Sequence, residues 1–211
     1  MRIPLGPTQS LEAILDEPAG APDGAVVVCH PHPAFGGRMD TPLVGALALG
    51  FVSAGRAALR FHYRGIEGSD GVATGGLAEH EDVAAAHRFL VERGHARVAW
   101  VGYSFGALMA LRAIAGGLRP AAYVGVALPT TIIGEDPARV AEVGRALDGA
   151  VPSLFVSGAD DPICDAARLR TWCTGRAALV ETLPGEGHGF TLVGVRAIVR
   201  RTVAFVRERA A

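Results

Sequence analysis

The segment Gly102-Tyr103-Ser104-Phe105-Gly106 sets a serine between two glycines, with an apolar run over 96–101 before it and a helix-forming run over 107–116 after it. Glycine on both sides lets the backbone turn so sharply that a hydroxyl stands at the carboxyl edge of a strand, over the amino end of the next helix. A serine hydroxyl is a weak nucleophile at its own pKa. It needs a base within hydrogen-bond reach and an acid that holds the base in one tautomer. Both residue types follow downstream. Asp160 and Asp161 come just after the apolar run 153–157, and His188 lies in the turn Gly185-Glu186-Gly187-His188-Gly189. Of the two aspartates, Asp161 is preferred, because it stands three residues past Gly158 and the ring of Pro162 keeps it extended. Asp160 is expected to cap or to face water. The expected set is therefore Ser104 as nucleophile, His188 as base and Asp161 as orienting acid.

Attack on a carbonyl develops negative charge, which two backbone N–H groups must meet. Phe105, directly after the serine, is one expected donor. The other is sought in Cys29-His30-Pro31-His32-Pro33-Ala34-Phe35-Gly36-Gly37. Pro31 and Pro33 have no N–H, so it falls to His32, Ala34 or a neighbour in the glycine turn. Phe35, Tyr103 and Arg64 are candidate substrate contacts, the last as a rigid fork suited to a carboxylate. An ion pair of Arg64 with Asp40 or Asp70 is the competing expectation. His30 and His32 raise a different chemistry, because i and i+2 side chains on extended backbone share a face and could share a metal, with His62 or Asp161 completing the shell. The prolines already account for a rigid loop, and no H-E-x-x-H motif accompanies the pair, so these histidines are read as braces and neither metal nor cofactor is expected. His80, His87 and His95 are read as surface positions, Trp100 and Trp172 as packing residues.

The elements that must position these groups follow from hydropathy. Strands are expected over 10–15, 25–29, 57–62, 97–101, 122–128, 153–157 and 179–182, and helices over 41–54, 77–93, 105–116, 137–147, 165–174 and 193–209. Alternation of short apolar strands with longer helices indicates an α/β protein, with a mostly parallel, doubly wound sheet and helices on both faces. Functional groups in such sheets gather at the carboxyl ends of the strands. Residues 129–150 are expected to hold at most one short helix, too little for a cap domain but enough for a modest lid.

Composition narrows the function further. The chain has 211 residues, half of them hydrophobic, and fits a single domain over 1–211. All 20 basic residues are arginine, and lysine and asparagine are absent, so Schiff-base lysines, Walker lysines and Cys-His-Asn sets are excluded. A formal charge of −1 gives no pull towards nucleic acid or anionic lipid. Three cysteines without C-x-x-C spacing fit a reducing compartment, and no signal-peptide or membrane-spanning run is present. A cytoplasmic monomer or homodimer acting on a small acyl substrate is expected.

Taken together, His30-Pro31-His32-Pro33 with Gly36-Gly37 and Met39-Asp40, then 59–65, the serine turn, Gly158-Ala159-Asp160-Asp161-Pro162 and His188 resemble the small cap-less bacterial α/β hydrolases with a His-Pro-His-Pro loop. The order Ser, Asp, His is that of the α/β-hydrolase fold. The resemblance implies that fold without a cap, a triad of Ser104, Asp161 and His188, acyl-enzyme chemistry and a second oxyanion donor in the 30–37 loop. Relatives often carry His-Gly-x there, where this chain has proline. A serine hydrolase of esters is the expected activity. Thioesterase or peptidase action on the same residues, a metal hydrolase using His30 and His32, and a non-catalytic binding protein are the alternatives.

Overall fold

A computed structural model describes residues 1–210. Eight strands join in one sheet ordered β1-β2-β4-β3-β5-β6-β7-β8. They are β1 (Arg2–Pro4), β2 (Ser10–Asp16), β3 (Ala25–Cys29), β4 (Ala57–Phe61), β5 (Val98–Tyr103), β6 (Tyr123–Val126), β7 (Ser153–Gly158) and β8 (Ala178–Leu183). The pairs β1–β2 and β2–β4 are antiparallel, and every other neighbour is parallel. Helices follow in chain order: α1 (Pro42–Ser53), α2 (Glu79–Glu92), α3 (Phe105–Ala115), α4 (Thr130–Gly134), α5 (Pro137–Asp148), α6 (Ala166–Cys173) and α7 (Leu192–Arg209).

The central strands are apolar on both faces because both faces are covered, which is why β3 reads Ala-Val-Val-Val-Cys without alternation. Val26, Val28, Ala99, Val101, Val124, Val126, Leu154 and Val156 pack beneath α1 and α7. Their neighbours Val27, Cys29, Trp100, Tyr123 and Phe155 point the other way, to α2, α3, α5 and α6. His87, expected at the surface, instead accepts a 3.1 Å hydrogen bond at Nδ1 from the buried Trp100 indole.

Chain order reverses at β3. From it, α1 leads to β4 on one side, and from β4, α2 leads across to β5 on the other. Loops leaving β3 and β5 therefore diverge and open a crevice at their carboxyl ends. Residues 129–150 hold two helices rather than one short one. Pro137 starts the second, and the Asp136 side chain accepts from the Ala138 N–H, so the chain breaks and restarts there. Val143, Ala146 and Leu147 of α5 are buried in the core beside α3, so this segment is a packed crossover and not a lid. Among the described residues no helix is long and apolar enough to cross a membrane.

The turn from β5 into α3 is among the tightest approaches in the fold. A Cβ on Gly106 would lie 2.3 Å from the Cys29 carbonyl oxygen, and one on Gly102 2.4 Å from the Ala107 nitrogen. The obstructing atoms are backbone and cannot step aside. Gly106→Ala is accordingly expected to cost about 3 kcal/mol or more. Thermal unfolding should show Tm lower by roughly 6–12 °C.

Candidate active site

Ser104 takes φ 54° and ψ −111°, a conformation that L side chains rarely occupy. It is fixed by its own N–H, which bonds the Val126 carbonyl at 2.8 Å, and by its carbonyl, which accepts from Leu108 at 3.2 Å. The side chain makes no capping bond to α3, so the hydroxyl is left for other partners. Its Oγ lies 2.9 Å from Nε2 of His188, and Nδ1 of His188 lies 2.8 Å from Oδ2 of Asp161. Three side chains that follow β5, β7 and β8 thus meet at one edge of the sheet.

The Asp161 side chain has no exposed surface. Its other oxygen, Oδ1, accepts from the N–H groups of Ile163 at 2.8 Å and Cys164 at 3.0 Å. Burial alone would raise this carboxyl, but the bonds from His188, Ile163 and Cys164 outweigh it and hold Asp161 below its ordinary value. The acid is thereby an anion whose one free direction points to the imidazole. Asp160 faces solvent, with its N–H on the Glu186 carbonyl at 3.0 Å.

Two anchors not expected from the sequence hold His188. The Tyr103 hydroxyl donates to the His188 carbonyl at 2.8 Å, and the Glu186 carboxylate accepts from Thr191 N and Oγ1 at 2.7 and 2.5 Å. Thr191 caps α7, so Glu186 ties the histidine turn to that helix. Tyr103 was expected to touch substrate, yet it is nearly buried and its hydroxyl is committed to the turn. Burial, with a smaller push from the Asp161 charge, raises that phenol to about 12, so it stays a donor. The one signal for either anchor is position: a tyrosine directly before the serine and a glutamate five before a helix-capping threonine.

The loop after β3 ends in a short 3₁₀ turn over Pro33–Phe35. His32 Nδ1 accepts from the Ala34 N–H at 3.1 Å, while the Phe35 and Gly37 N–H groups both bond the His32 carbonyl at 3.1 Å and Gly36 bonds Pro33. Ala34, expected as a possible oxyanion donor, is therefore already engaged. Among the non-proline residues of 31–37, the His32 N–H is the one without a partner in the described structure. Phe105, first residue of α3, is likewise free of an intrahelical bond at its N–H. The Arg38 side chain clips the loop in place, with Nη1 on the carbonyls of Pro33 (3.1 Å) and Gly37 (2.8 Å) and Nε on Glu67 at 2.6 Å. Glu67 has φ 48°, a strained value for a residue with a side chain.

Arg64, the other expected substrate contact, is withdrawn. Its Nη2 is 2.6 Å from buried Asp82 and 2.9 Å from Glu81, and its N–H also bonds Asp82. Neither Asp40 nor Asp70 is its partner. Phe35 is 90% exposed, edge-on to His32 with ring centroids 5.4 Å apart. His30 and His32 have separate surroundings: His30 is buried against Tyr63 with Nδ1 on the Pro31 carbonyl at 2.7 Å, and His32 lies against Phe105 at 4.6 Å. No group of three His, Cys, Asp or Glu residues is gathered to hold a metal among the described residues. A groove of about 350 Å³ beside α2, lined by Leu5, His80, Glu81 and Arg88, contains none of the residues around Ser104.

No family model matches the chain. An uncharacterized protein of Rickettsia prowazekii is 33% identical over 90 residues, which span 42% of this chain and 38% of that protein. Among solved structures, a lidless α/β serine hydrolase from Xanthomonas campestris is 25% identical with a TM-score of 0.79, covering 99% of this chain and 93% of that one. An α/β serine hydrolase homologue from Coxiella burnetii is 23% identical with a TM-score of 0.79, covering 99% and 95%. A ferulic-acid complex of a Butyrivibrio proteoclasticus protein is 18% identical with a TM-score of 0.84, covering 99% and 98%.

The brace behind the 30–37 loop has a pH signature. Burial drives the His30 imidazole from its ordinary 6.5 down to about 3, and its Nε2 has no partner. The unfolded chain binds this proton below 6.5 and the fold resists it, so the stability is whole above 6.5 and is lost as pH falls towards 3. Urea unfolding between pH 6 and pH 4 should show wild type losing about 1 kcal/mol more per pH unit than His30→Gln.

Proposed function

We propose that this chain, a cap-less member of the α/β-hydrolase superfamily, is a serine hydrolase that cleaves an ester or related acyl bond through an acyl-enzyme on Ser104. The observation that carries the reading is the unbroken line from Ser104 Oγ through His188 to buried Asp161, at 2.9 and 2.8 Å. That solved structures of the same fold, one of them without a lid, are described as an α/β serine hydrolase and a homologue of one supports it.

His188 Nε2 takes the Ser104 proton as the oxygen adds to the acyl carbonyl, and the imidazolium that forms faces the Asp161 anion. The N–H groups of Phe105 and His32 meet the carbonyl oxygen as it gains charge. Collapse of the adduct expels the alcohol, which receives the proton from His188. Water then attacks the acyl-serine with His188 again as base, releasing the acid and restoring the hydroxyl. Ser104 at the amino end of α3 adds the helix dipole to the same oxygen.

A fluorophosphonate should label wild type, and labelling should vanish in Ser104→Ala. Labelling that survives this change refutes the assignment, and failure of wild type to react with activated esters favours a non-catalytic role. Asp161→Asn should lower kcat by roughly 10³–10⁴ while the fold persists, because the imidazole loses its tautomer and its counter-charge. Steady-state kinetics with p-nitrophenyl acetate, paired with circular dichroism, checks this.

Arg38→Met should act on a different quantity. Freed of its clip, the His32 N–H loses its aim at the developing oxyanion, and kcat should fall about tenfold with KM nearly unchanged. A fall confined to KM would instead place Arg38 in ground-state binding.

A further inference from the structure

We infer that the substrate is an uncharged ester whose acyl group is apolar and lies along an exposed rim formed by Phe35 and Leu77; this rests on the serine-hydrolase reading above. Of the eight large apolar side chains that are 50% exposed or more, six, Phe35, Val72, Leu77, Ile132, Leu192 and Val193, follow the carboxyl end of a parallel strand, β3, β4, β6 or β8, while Leu49 on α1 and Leu179 within β8 lie elsewhere. That is the edge at which Ser104 stands. Solvated apolar side chains concentrated on one edge mark a surface that is covered in use.

The rim is continuous with the reacting centre. Phe35 stacks edge-on to His32, and His32 lies against Phe105, the residue next to Ser104, at 4.6 Å. The loop carrying Val72 and Leu77 comes down on the same ring, since a Cβ on Gly76 would be 3.2 Å from Phe105 Cε2. That loop is held in place: the Glu79 carboxylate accepts from Thr74 N and Oγ1 at 2.6 Å each and from Gly76 N at 2.8 Å, and Arg112 donates to the Gly76 carbonyl. Leu77 thus projects from a fixed turn rather than from slack chain.

Charge selects against anions. Across the loops that border the site, 30–41, 62–78, 127–136, 159–165 and 184–191, the cationic side chains other than histidine are Arg38 and Arg64. Both are bound to carboxylates, Arg38 to Glu67 and Arg64 to Asp82 and Glu81. The same loops carry Asp40, Glu67, Asp70, Glu135, Asp136, Asp160, Asp161, Asp165 and Glu186. Asp70, Asp136 and Asp165 are paired with Arg2, Arg139 and Arg168 from outside these loops, so an acyl group ending in a carboxylate would find no free cation on the loops themselves, whereas an alkyl or aryl group would cover Phe35 and Leu77.

The test is a series of p-nitrophenyl esters from acetate to hexanoate, with the p-nitrophenyl monoester of glutaric acid and a quaternary-ammonium acyl ester alongside. Wild-type kcat/KM should rise about twofold to fourfold per methylene, the upper figure corresponding to full burial of each. The glutarate monoester should be cleaved at least about tenfold more slowly than hexanoate, because its carboxylate would give up solvent with no cation to receive it. In Phe35→Ser/Leu77→Ser the ratio of hexanoate to acetate should fall towards one, with fluorophosphonate labelling of Ser104 retained. A flat wild-type series, a preference for the anionic or cationic ester, or a slope that survives the double substitution overturns the inference and leaves the Ser104 assignment standing. Loss of all ester cleavage together with loss of labelling in wild type overturns the Ser104 assignment itself.

Discussion

The crossing of α3 over the end of β3 is the constraint on which the site depends. Gly106 brings the helix start within contact of the Cys29 carbonyl, closer than any side chain would permit, and Gly102 clears the path for the turn. Ser104 is forced to positive φ between them. Two consequences come from the one contact. The hydroxyl is lifted clear of α3, and the N–H of Phe105 is set beside the loop that carries the unpartnered N–H of His32. Strain at a serine is sustained here because the strands and helices around it are buried on every side.

The second half of the arrangement is wiring between loops. Asp161 is held by the turn it begins, His188 by Tyr103 and by the tie of Glu186 to Thr191, and the 30–37 loop by Arg38 and Glu67. The Tyr103–His188 and Arg38–Glu67 bonds join segments far apart in sequence, and those at Asp161 and between Glu186 and Thr191 are local, so the groups around Ser104 are placed by the sheet and fixed by polar contacts with little freedom. Buried His30, Tyr63 and His62 stack behind the loop and stiffen it from within. Loops following four different strands also present the apolar rim. On the proposed reading, a cap-less edge that presents both the Ser104 hydroxyl and apolar side chains is suited to a substrate that supplies its own cover.

The parallel sheet, its helices and the meeting of residues 104, 161 and 188 were legible because each has a local mark: an apolar run, a glycine pair, a proline after an aspartate. Where the reading departed from the structure, a specific side-chain contact that residue type alone does not reveal decided the outcome. Ala34 lost its N–H to the rotamer of His32, and Arg64 turned to Asp82 on α2, eighteen residues away. Tyr103 exchanged a substrate role for a carbonyl across the site. The break at Asp136-Pro137 carried its own capping signal, and it divides residues 129–150 into two packed helices. The β1 edge strand, three residues long, is formed by pairing with β2 rather than by any periodicity of its own.

A crystal structure of the protein phosphonylated by an uncharged alkyl fluorophosphonate tests the central claim most directly. The account predicts phosphorus bonded to Ser104 Oγ, its oxygen 2.7–3.1 Å from both the Phe105 and His32 nitrogens, and His188 still on Asp161. An adduct on another residue, or an oxygen turned away from both N–H groups while His188 swings out of reach, would contradict it.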